Sequence, residues 1–570
     1  MADGQNENIR MKEWLRFLIT VAVIIIIALL FSMFRIRLDL TEDNRYTLSE
    51  PTRQILSDIK NDIFIQVYLD GEMPVPLKRL RKSVKDMLEE FRIASRRKID
   101  YEFINPADTK DPQQREAQYT SLYNKGLNPV NIRASDEEGG KTQKMIFPGM
   151  LINYNNIEVP VNFLKNNPSI SYEQNILHSI EGLEYEIIQT IATVSSDTVY
   201  KVAFLEGQNE LAEIDVADIT INLAKFFTID RGTINAQPGI LDNYAAVIIA
   251  NPLKEFSEAD KLVLDQYIMN GGKVLWLVEQ VAINSDSLAT GEAIGLYRPL
   301  NIEDQLFRYG VRINPEVIQD LDCMVIRMTV STGEQNQIVP APWVYYPKLY
   351  PSHNHPITRN LNRIKGQFVN TIDTVGLDPA IKKTILLSTS ARSRTLKPPL
   401  IIRLKEAEQF PDEQLFNRSN LPAAVLLEGV FPSAFRNRMT ANLINNKDFR
   451  IKNESVETKM IVIADGDIIR NDVRRIGNTA TPYPLGQDRV TGEIMGNRDF
   501  IINCLNYLVD DHGIMELRSR EMRLRLLDKT RIKNEKTLWQ LVNLTGPVLI
   551  IILAGLIYTF FRKKLYTGQG

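Results

Sequence analysis

Cysteine is nearly missing: Cys323 and Cys504 are the two thiols in a chain of 570 residues. A disulfide framework and a cysteine-built metal centre are thereby excluded. Histidine is scarce too, with four residues, and the closest pair, His353 and His355 in "HNHP", lacks an evident third ligand and reads as a polar turn. No metal and no cofactor is expected. An excess of either charge is also lacking, since 68 basic residues face 70 acidic ones, so nothing global attracts nucleic acid. A phosphate-binding loop is suggested and then withdrawn by "SDEEGGKTQ", residues 135–143. The pattern G-x-x-x-x-G-K-[ST] needs glycine where Ser135 stands, a strand before it and a helix after it. Neither context is expected; a strand follows, and the stretch reads as a charged, solvated turn.

Long apolar runs are absent from the interior and present near both ends. Trp14 to Phe34, "WLRFLITVAVIIIIALLFSMF", is long enough to cross roughly 30 Å of hydrocarbon as a helix. It ends in Phe34, Arg35 and Arg37 rather than in small residues, which makes it an uncleaved anchor and not a signal peptide. Leu541 to Phe561, "LVNLTGPVLIIILAGLIYTFF", is a second span, and membrane helices tolerate its Gly546 and Pro547. Both tails, 1–13 and 562–570, then lie on one side. The basic residues in and beside them, Arg10, Lys12 and Arg16 at one end and Arg562 to Lys564 at the other, fit the cytoplasm. A basic stretch at 513–540 pulls the other way, and large domains translocate largely regardless of charge, so charge alone leaves the side open. That stretch, "MELRSREMRLRLLDKTRIKNEK", reads as an exposed helical stalk supported by Glu516–Arg520 and Glu521–Arg525 pairs. The other reading is a basic collar meeting lipid headgroups or a permease through Arg518, Arg523 and Arg525.

Between the spans, residues 35–170 form a first unit. Ser49 caps a helix with Pro51 in its first turn. "IFIQVYLD" alternates as a strand, Leu77 to Phe91 has helical apolar spacing, and "KIDYEFINP" is a second strand. Such a strand, helix, strand crossover pairs its strands in parallel. A helix over about Gln113 to Lys125 follows. The hairpin "KMIFPGMLINYNNIEVPVNFL" then turns at Asn155 and Asn156, residues suited to left-handed backbone. The order is that of a thioredoxin-like domain, but "LDGEMPVP" stands where a redox enzyme carries C-x-x-C, which excludes thiol chemistry.

A helix from about Tyr172 to Thr193, within a connecting segment 171–196, leads to a larger unit at 197–512. There "VYKVAFLEG", "NYAAVIIANP" and "KVLWLVEQ" are continuous apolar strands alternating with helices, one of them "SEADKLVLDQYIMNGG" with Ser257 as its cap. This pattern predicts a parallel sheet covered on both faces. "KTILLSTS", "AAVLLEG" and "TKMIVIADGD" are expected to complete it, and "RDFIINCLNYLV" to close it as a helix. The insertion from Val281 to Leu377 carries no readable pattern.

Ligands of such sheets sit beyond the carboxyl ends of the strands. Those ends supply the candidate ligand- or partner-binding residues Gln208, Glu210, Asn251, Glu279, Asp465 and Asp467. An amidotransferase would need a cysteine elbow with a histidine partner, and "ADGD" has neither. A paired-carboxylate hydrolase built from Glu210 and Asp465 would need its carboxyls roughly 5 to 10 Å apart. The chain is therefore expected not to be an enzyme, with a membrane-anchored periplasmic hydrolase or carbohydrate-binding enzyme as the alternative.

Seven stretches in order, "LDLTEDNRYTLSEPT", "GQNE", "YIMNGGKVLWLVE", "HPIT", "IVIADGD", "GNRDFIINCLNYL" and "LRSREMRLRLLD", run from the first span to the second. Together they resemble GldG, the gliding-motility-associated ABC transporter component family of Bacteroidota. The resemblance implies an inner-membrane protein with its bulk in the periplasm, partnered by a GldF-like permease and a GldA-like ATPase. It also implies that the larger unit is an amidotransferase-like, GIFT-type domain without its nucleophile. Many relatives have G-H-x-E where Gly207, Gln208, Asn209 and Glu210 stand, so a role for that histidine does not carry over. A homodimer would suit paired transporter halves.

Overall fold

The computed structural model describes residues 14, 18–23, 25–26, 47–109, 111–135, 141–164, 170–196, 199–332, 335–376, 378–409, 411–438, 450–519 and 529–567. Most of the first expected span and both ends of the chain lie outside them. The chain divides into two units: Met1–Leu40 with Tyr46–Arg520, and Thr41–Arg45 with Glu521–Gly570.

The first unit begins at a capped helix. In α1 (Glu50–Asp58) the Ser49 hydroxyl accepts from the Thr52 N–H at 3.3 Å, and Pro51 occupies the first turn. The Ser49 N–H donates to Glu184 Oε1 at 2.9 Å, tying this start to a helix 135 residues further on. Strands β1 (Ile63–Val67) and β2 (Ile99–Phe103) pair in parallel across α2 (Val75–Ala94). Helix α2 buries Leu77, Leu80, Val84, Met87, Leu88 and Phe91, an apolar stripe at helical spacing. After α3 (Pro112–Asn124), capped by Asp111, β3 (Val130–Ser135) and β4 (Lys141–Ile146) form a hairpin. A strand therefore does precede Ser135, contrary to the expectation above, but a second strand and not a helix follows. Strands β5 (Gly149–Tyr154) and β6 (Ile157–Asn162) turn at Asn155 and Asn156, with φ of 49° and 66°. Positive φ at both central residues is what a two-residue hairpin of matching twist requires. The sheet order is β2-β1-β5-β6, with β5 antiparallel to β1.

The single helix expected from Tyr172 to Thr193 is two, α4 (Tyr172–Glu181) and α5 (Leu183–Ser195), divided at Gly182. Helix α5 is no free linker: Leu183, Tyr185, Ile187, Ile188 and Ile191 lie in one core with the small sheet and with one face of the large one.

The large sheet contains β7 (Lys201–Glu206), β8 (Thr228–Thr233), β9 (Ala246–Ala250), β10 (Val274–Leu277), β11 (Cys323–Thr332), β12 (Gln335–Pro351), β13 (Ile381–Ser388), β14 (Pro422–Gly429) and β15 (Thr458–Ile463). Its order is β11-β12-β13-β14-β15-β10-β9-β7-β8, with Ile364–Lys365 beside β12. Strands β8, β7, β9, β10 and β15 are parallel. The expected all-parallel sheet is corrected beyond them: β14 runs antiparallel to both β15 and β13, and β12 antiparallel to β13. A fully buried run such as Ala423–Leu427 is equally apolar in either direction, so its composition does not encode its orientation. Successive β10 residues alternate between two cores: Leu275 and Leu277 join α6 (Ala217–Leu223) and α8 (Asn497–Val509), while Val274 and Trp276 join α7 (Glu258–Met269). The result is a mixed α/β unit with its main sheet covered on both faces.

After α8 comes a short 3-10 turn, Ile514–Ser519, in place of the first part of the expected stalk helix. The second unit contains α9 (Lys529–Thr567), a 39-residue helix with Pro547 inside it. Within α9, Asn534–Phe561 is apolar and long enough to cross a membrane, and it is the one such helix among the described residues.

Candidate functional site

The strand-end residues converge on two neighbouring clusters. At the end of β7 the chain passes through Gly207 (φ 129°) and Asn209 (φ 57°). The Gln208 carbonyl accepts from the Leu253 and Lys254 N–H groups at 2.8 and 2.9 Å, which fastens this loop to the segment after β9. Glu210 Oε2 accepts from the Gln208 N–H at 2.8 Å, whereas its Oε1 is buried with no hydrogen-bond partner. Burial pushes the Glu210 carboxyl above its ordinary value, opposed by hydrogen bonds from its own N–H and that of Gln208. On adjacent β8, Arg231 donates Nε to Glu206 Oε1 at 2.7 Å and Nη2 to the Leu211 carbonyl at 2.9 Å, and leaves Nη1 buried and unmatched.

The second cluster lies at the ends of β9, β10 and β15. Asn251, in left-handed backbone at φ 52°, donates Nδ2 to Asp467 Oδ1 at 3.0 Å. Glu279 Oε1 accepts from the Gly466 N–H at 3.0 Å. Asp465 receives the Asp467 N–H on Oδ1 at 2.9 Å and the Gln367 N–H on Oδ2 at 3.0 Å. Two guanidiniums border these carboxyls. Arg298 donates Nη1 to Asn251 Oδ1 at 3.1 Å and stands 3.9 Å from Glu279 Oε2. Arg470 lies 3.5 Å from Asp467 and 3.7 Å from Asp215. Gly466 is required by contact: a Cβ there would come within 2.4 Å of the Asn251 side chain. Asp465 is fully buried, and Asn251, Glu279 and Asp467 are each under a tenth exposed. Burial, followed by the charges of Asp467 and Asp465, holds the Glu279 carboxyl well above the usual range. Burial and Asp467 do the same to Asp465.

The structure thus brings Asn251, Glu279, Asp465 and Asp467 together and keeps Glu210 with Gln208. It does not join Glu210 to Asp465. Strands β9 and β10 lie between β7 and β15, which separates their backbones by three strand spacings, roughly 14 Å. Both cysteines are removed from nucleophilic use: burial pushes the Cys323 thiol up to about 11 and raises Cys504 as well, and the thiolate is the reactive form. His355 is turned into the core, its Nδ1 accepting from the Ile357 N–H at 3.3 Å and its ring 4.9 Å from that of Tyr507. Among the described residues no three His, Cys, Asp or Glu side chains form a group able to hold a metal ion.

Of the three arginines assigned to membrane or permease contact, Arg523 and Arg525 lie outside the described residues. Arg518 is half-buried, donating to Asn503 Oδ1 at 2.9 Å and the Arg359 carbonyl at 3.0 Å, with its guanidinium 5.2 Å from the Tyr185 ring. That placement follows from the 3-10 turn, which folds Arg518 back against α5 and α8. Sequence reasoning missed Arg298, which comes from the unreadable insertion, and Arg231, which lies on an unrecognised polar edge strand. Arg470 had a visible signal, three residues past Asp467 in "DGDIIR".

Comparison with known proteins adds the following. A family model described as ABC-type uncharacterized transport system matches residues 200–504, which include all six strand-end candidates. A domain of unknown function matches residues 42–153. An uncharacterized protein of Borreliella burgdorferi is 20% identical over 573 residues, covering 97% of this chain and 98% of its own length. A solved structure titled mmIFT52 N-terminal domain aligns with 47% of this chain and 88% of its own at 15% identity and a TM-score of 0.28, too low to carry an argument.

Proposed function

The chain belongs to the ABC-type uncharacterized transport system family, and on that premise we propose that it is a GldG-like, non-enzymatic inner-membrane subunit serving gliding motility. It acts with other components of an ABC transport system; in this reading they are a GldF-like permease and a GldA-like ATPase. The bulk of the chain is periplasmic, both tails are cytoplasmic, and the large unit binds a substrate or a partner protein. The order β2-β1-β5-β6, with its parallel β1/β2 pair, supports a thioredoxin-like first domain. Five parallel strands with helices on both faces and no elbow nucleophile support a GIFT-type second domain.

The observation that carries the non-enzymatic reading is the hydrogen bonding of the strand ends. Asn251, Glu279, Asp465 and Asp467 answer one another and nearby backbone groups, an arrangement that holds loops in place. A reacting carboxylate would need a substrate atom within about 3 Å instead. Affinity purification of the full chain from its native membrane is expected to bring an ATPase and a permease with it. Glu210→Gln and Asp465→Asn are expected to leave any hydrolytic activity of the preparation unchanged. A chain that purifies alone, with a hydrolase activity that both substitutions abolish, would overturn the proposal.

A further inference from the structure

Helix α2 and the residues just after it are rich in positive charge. From Val75 to Lys98 there are nine basic residues against three acidic ones, an excess of six in a chain whose net charge is −2. The apolar stripe of α2 faces the core, so the charge falls on the opposite side. Lys78, Lys82 and Lys85 follow one another at i, i+4 and i+7, with Arg79 beside them, and all four are exposed. None of the four forms an ion pair with a described residue. By contrast, Arg81 pairs with Asp70 at 3.0 Å and Arg92 with Asp100 at 3.7 Å, so acidic partners exist on this unit and these four cations are not given them. Val75 and Ile93, 63% and 45% exposed, flank the same face.

The placement of the charge also runs against helix electrostatics. The first turn of α2 has no acidic residue, and Pro74 offers no side-chain cap. Lys78 lies in the first turn, where the helix dipole is already positive, and Arg79 follows it directly. Repulsion there costs stability unless an external anion offsets it. A solvated face that only keeps a protein soluble needs no such crowding at this end.

We propose that this face of α2 binds the anionic phosphate headgroups of a lipid bilayer. The helix is about 30 Å long, so its outer face presents an extended row of cations to a plane and not a point to one small ligand. Because the apolar face of α2 is committed to the core, the contact is superficial and reversible by salt.

The test uses the full-length chain in nanodiscs of phosphatidylcholine alone or mixed with phosphatidylglycerol. A soluble amine-acylating reagent is added, and its rate at Lys78, Lys82 and Lys85 is read by mass spectrometry against exposed Lys405. Each lysine held near an anionic surface gains about 1 kcal/mol, a roughly fivefold preference. Acylation of the three is therefore expected to slow about fivefold in the anionic discs. It should recover as salt is raised from about 0.1 M to 1 M and the screening length falls from about 10 to 3 Å. Lys405 should not change. In the Lys82→Glu/Lys85→Glu variant, whose altered side chains bond nothing in the fold, Lys78 should lose its protection while the melting temperature stays put. Equal acylation in both kinds of disc would overturn the proposal. So would protection by free glycerophosphate in neutral discs, which would mean a phosphate site. Protection that appears only when transporter partners are added, whatever the lipid, would overturn it in favour of an acidic protein surface.

Discussion

At the strand ends, Glu279, Asp465 and Asp467 are almost wholly enclosed, and each is met by backbone N–H groups, an asparagine amide or a guanidinium. On α2, Lys78, Arg79, Lys82 and Lys85 stand in water without a counterion from the described chain. In the first arrangement burial, added to by neighbouring carboxyls, holds Glu279 and Asp465 above the usual carboxylate range. The second has like charges on an open face, where solvent screens them and a substitution leaves the fold unmoved. The enclosed carboxyls join strands and loops, whereas these four cations bond nothing within the described fold.

The sharpest way to break that contrast is to disturb the enclosed cluster without touching a charge. Gly466→Ala drives a methyl into the Asn251 side chain, against a backbone held by Glu279, and is expected to cost about 3 kcal/mol in urea unfolding. A loss below about 0.5 kcal/mol would mean that the cluster is loosely packed. Next comes Arg518→Ala, which strips partners from Asn503 and the Arg359 carbonyl and is expected to cost about 2 kcal/mol in detergent and in bilayers alike. Sensitivity to lipid composition would return Arg518 to the open class.

The smallest effect is a gain. Folded-state burial raises the Glu279 carboxyl above its ordinary 4.5, so its favourable contribution is complete below about that pH and declines as pH rises through the folded value. Glu279→Gln keeps the acceptor for the Gly466 N–H and removes the charge, and should add about 1 kcal/mol at pH 8 and flatten the alkaline decline. His355 sets the opposite limb. Burial holds it down to about 4, so the stability it contributes is present above 6.5 and is lost as pH falls toward 4. Unfolding midpoints measured from pH 4 to 9 in both proteins would show whether the two limbs separate as expected.

What was legible in the sequence follows the same division between local and distant causes. The Ser49 cap, the Asn155–Asn156 turn and the stripe on α2 are written in adjacent residues, and all three are present. The direction of β14 is not, because a strand buried on both faces has no polar side to orient it. Strand β8, "TIDRGT", escaped because an edge strand half open to water has the composition of a loop. The strand-end residues were identifiable from position alone, since strands of a parallel stretch deliver their carboxyl ends to one edge. Their bonding was not, because Arg298 and Gln367 reach the cluster from an insertion whose path depends on the long β11/β12 ribbon and the small sheets around it.

Helix α9 passes through Pro547 without interruption. Thirty-nine residues make a rod about 58 Å long, nearly twice the roughly 30 Å thickness of a hydrocarbon layer. Pro547 has no N–H to donate, so one backbone bond of the helix is missing there, and bending of the rod concentrates at that point. That makes α9 a shaft, with Pro547 as its joint.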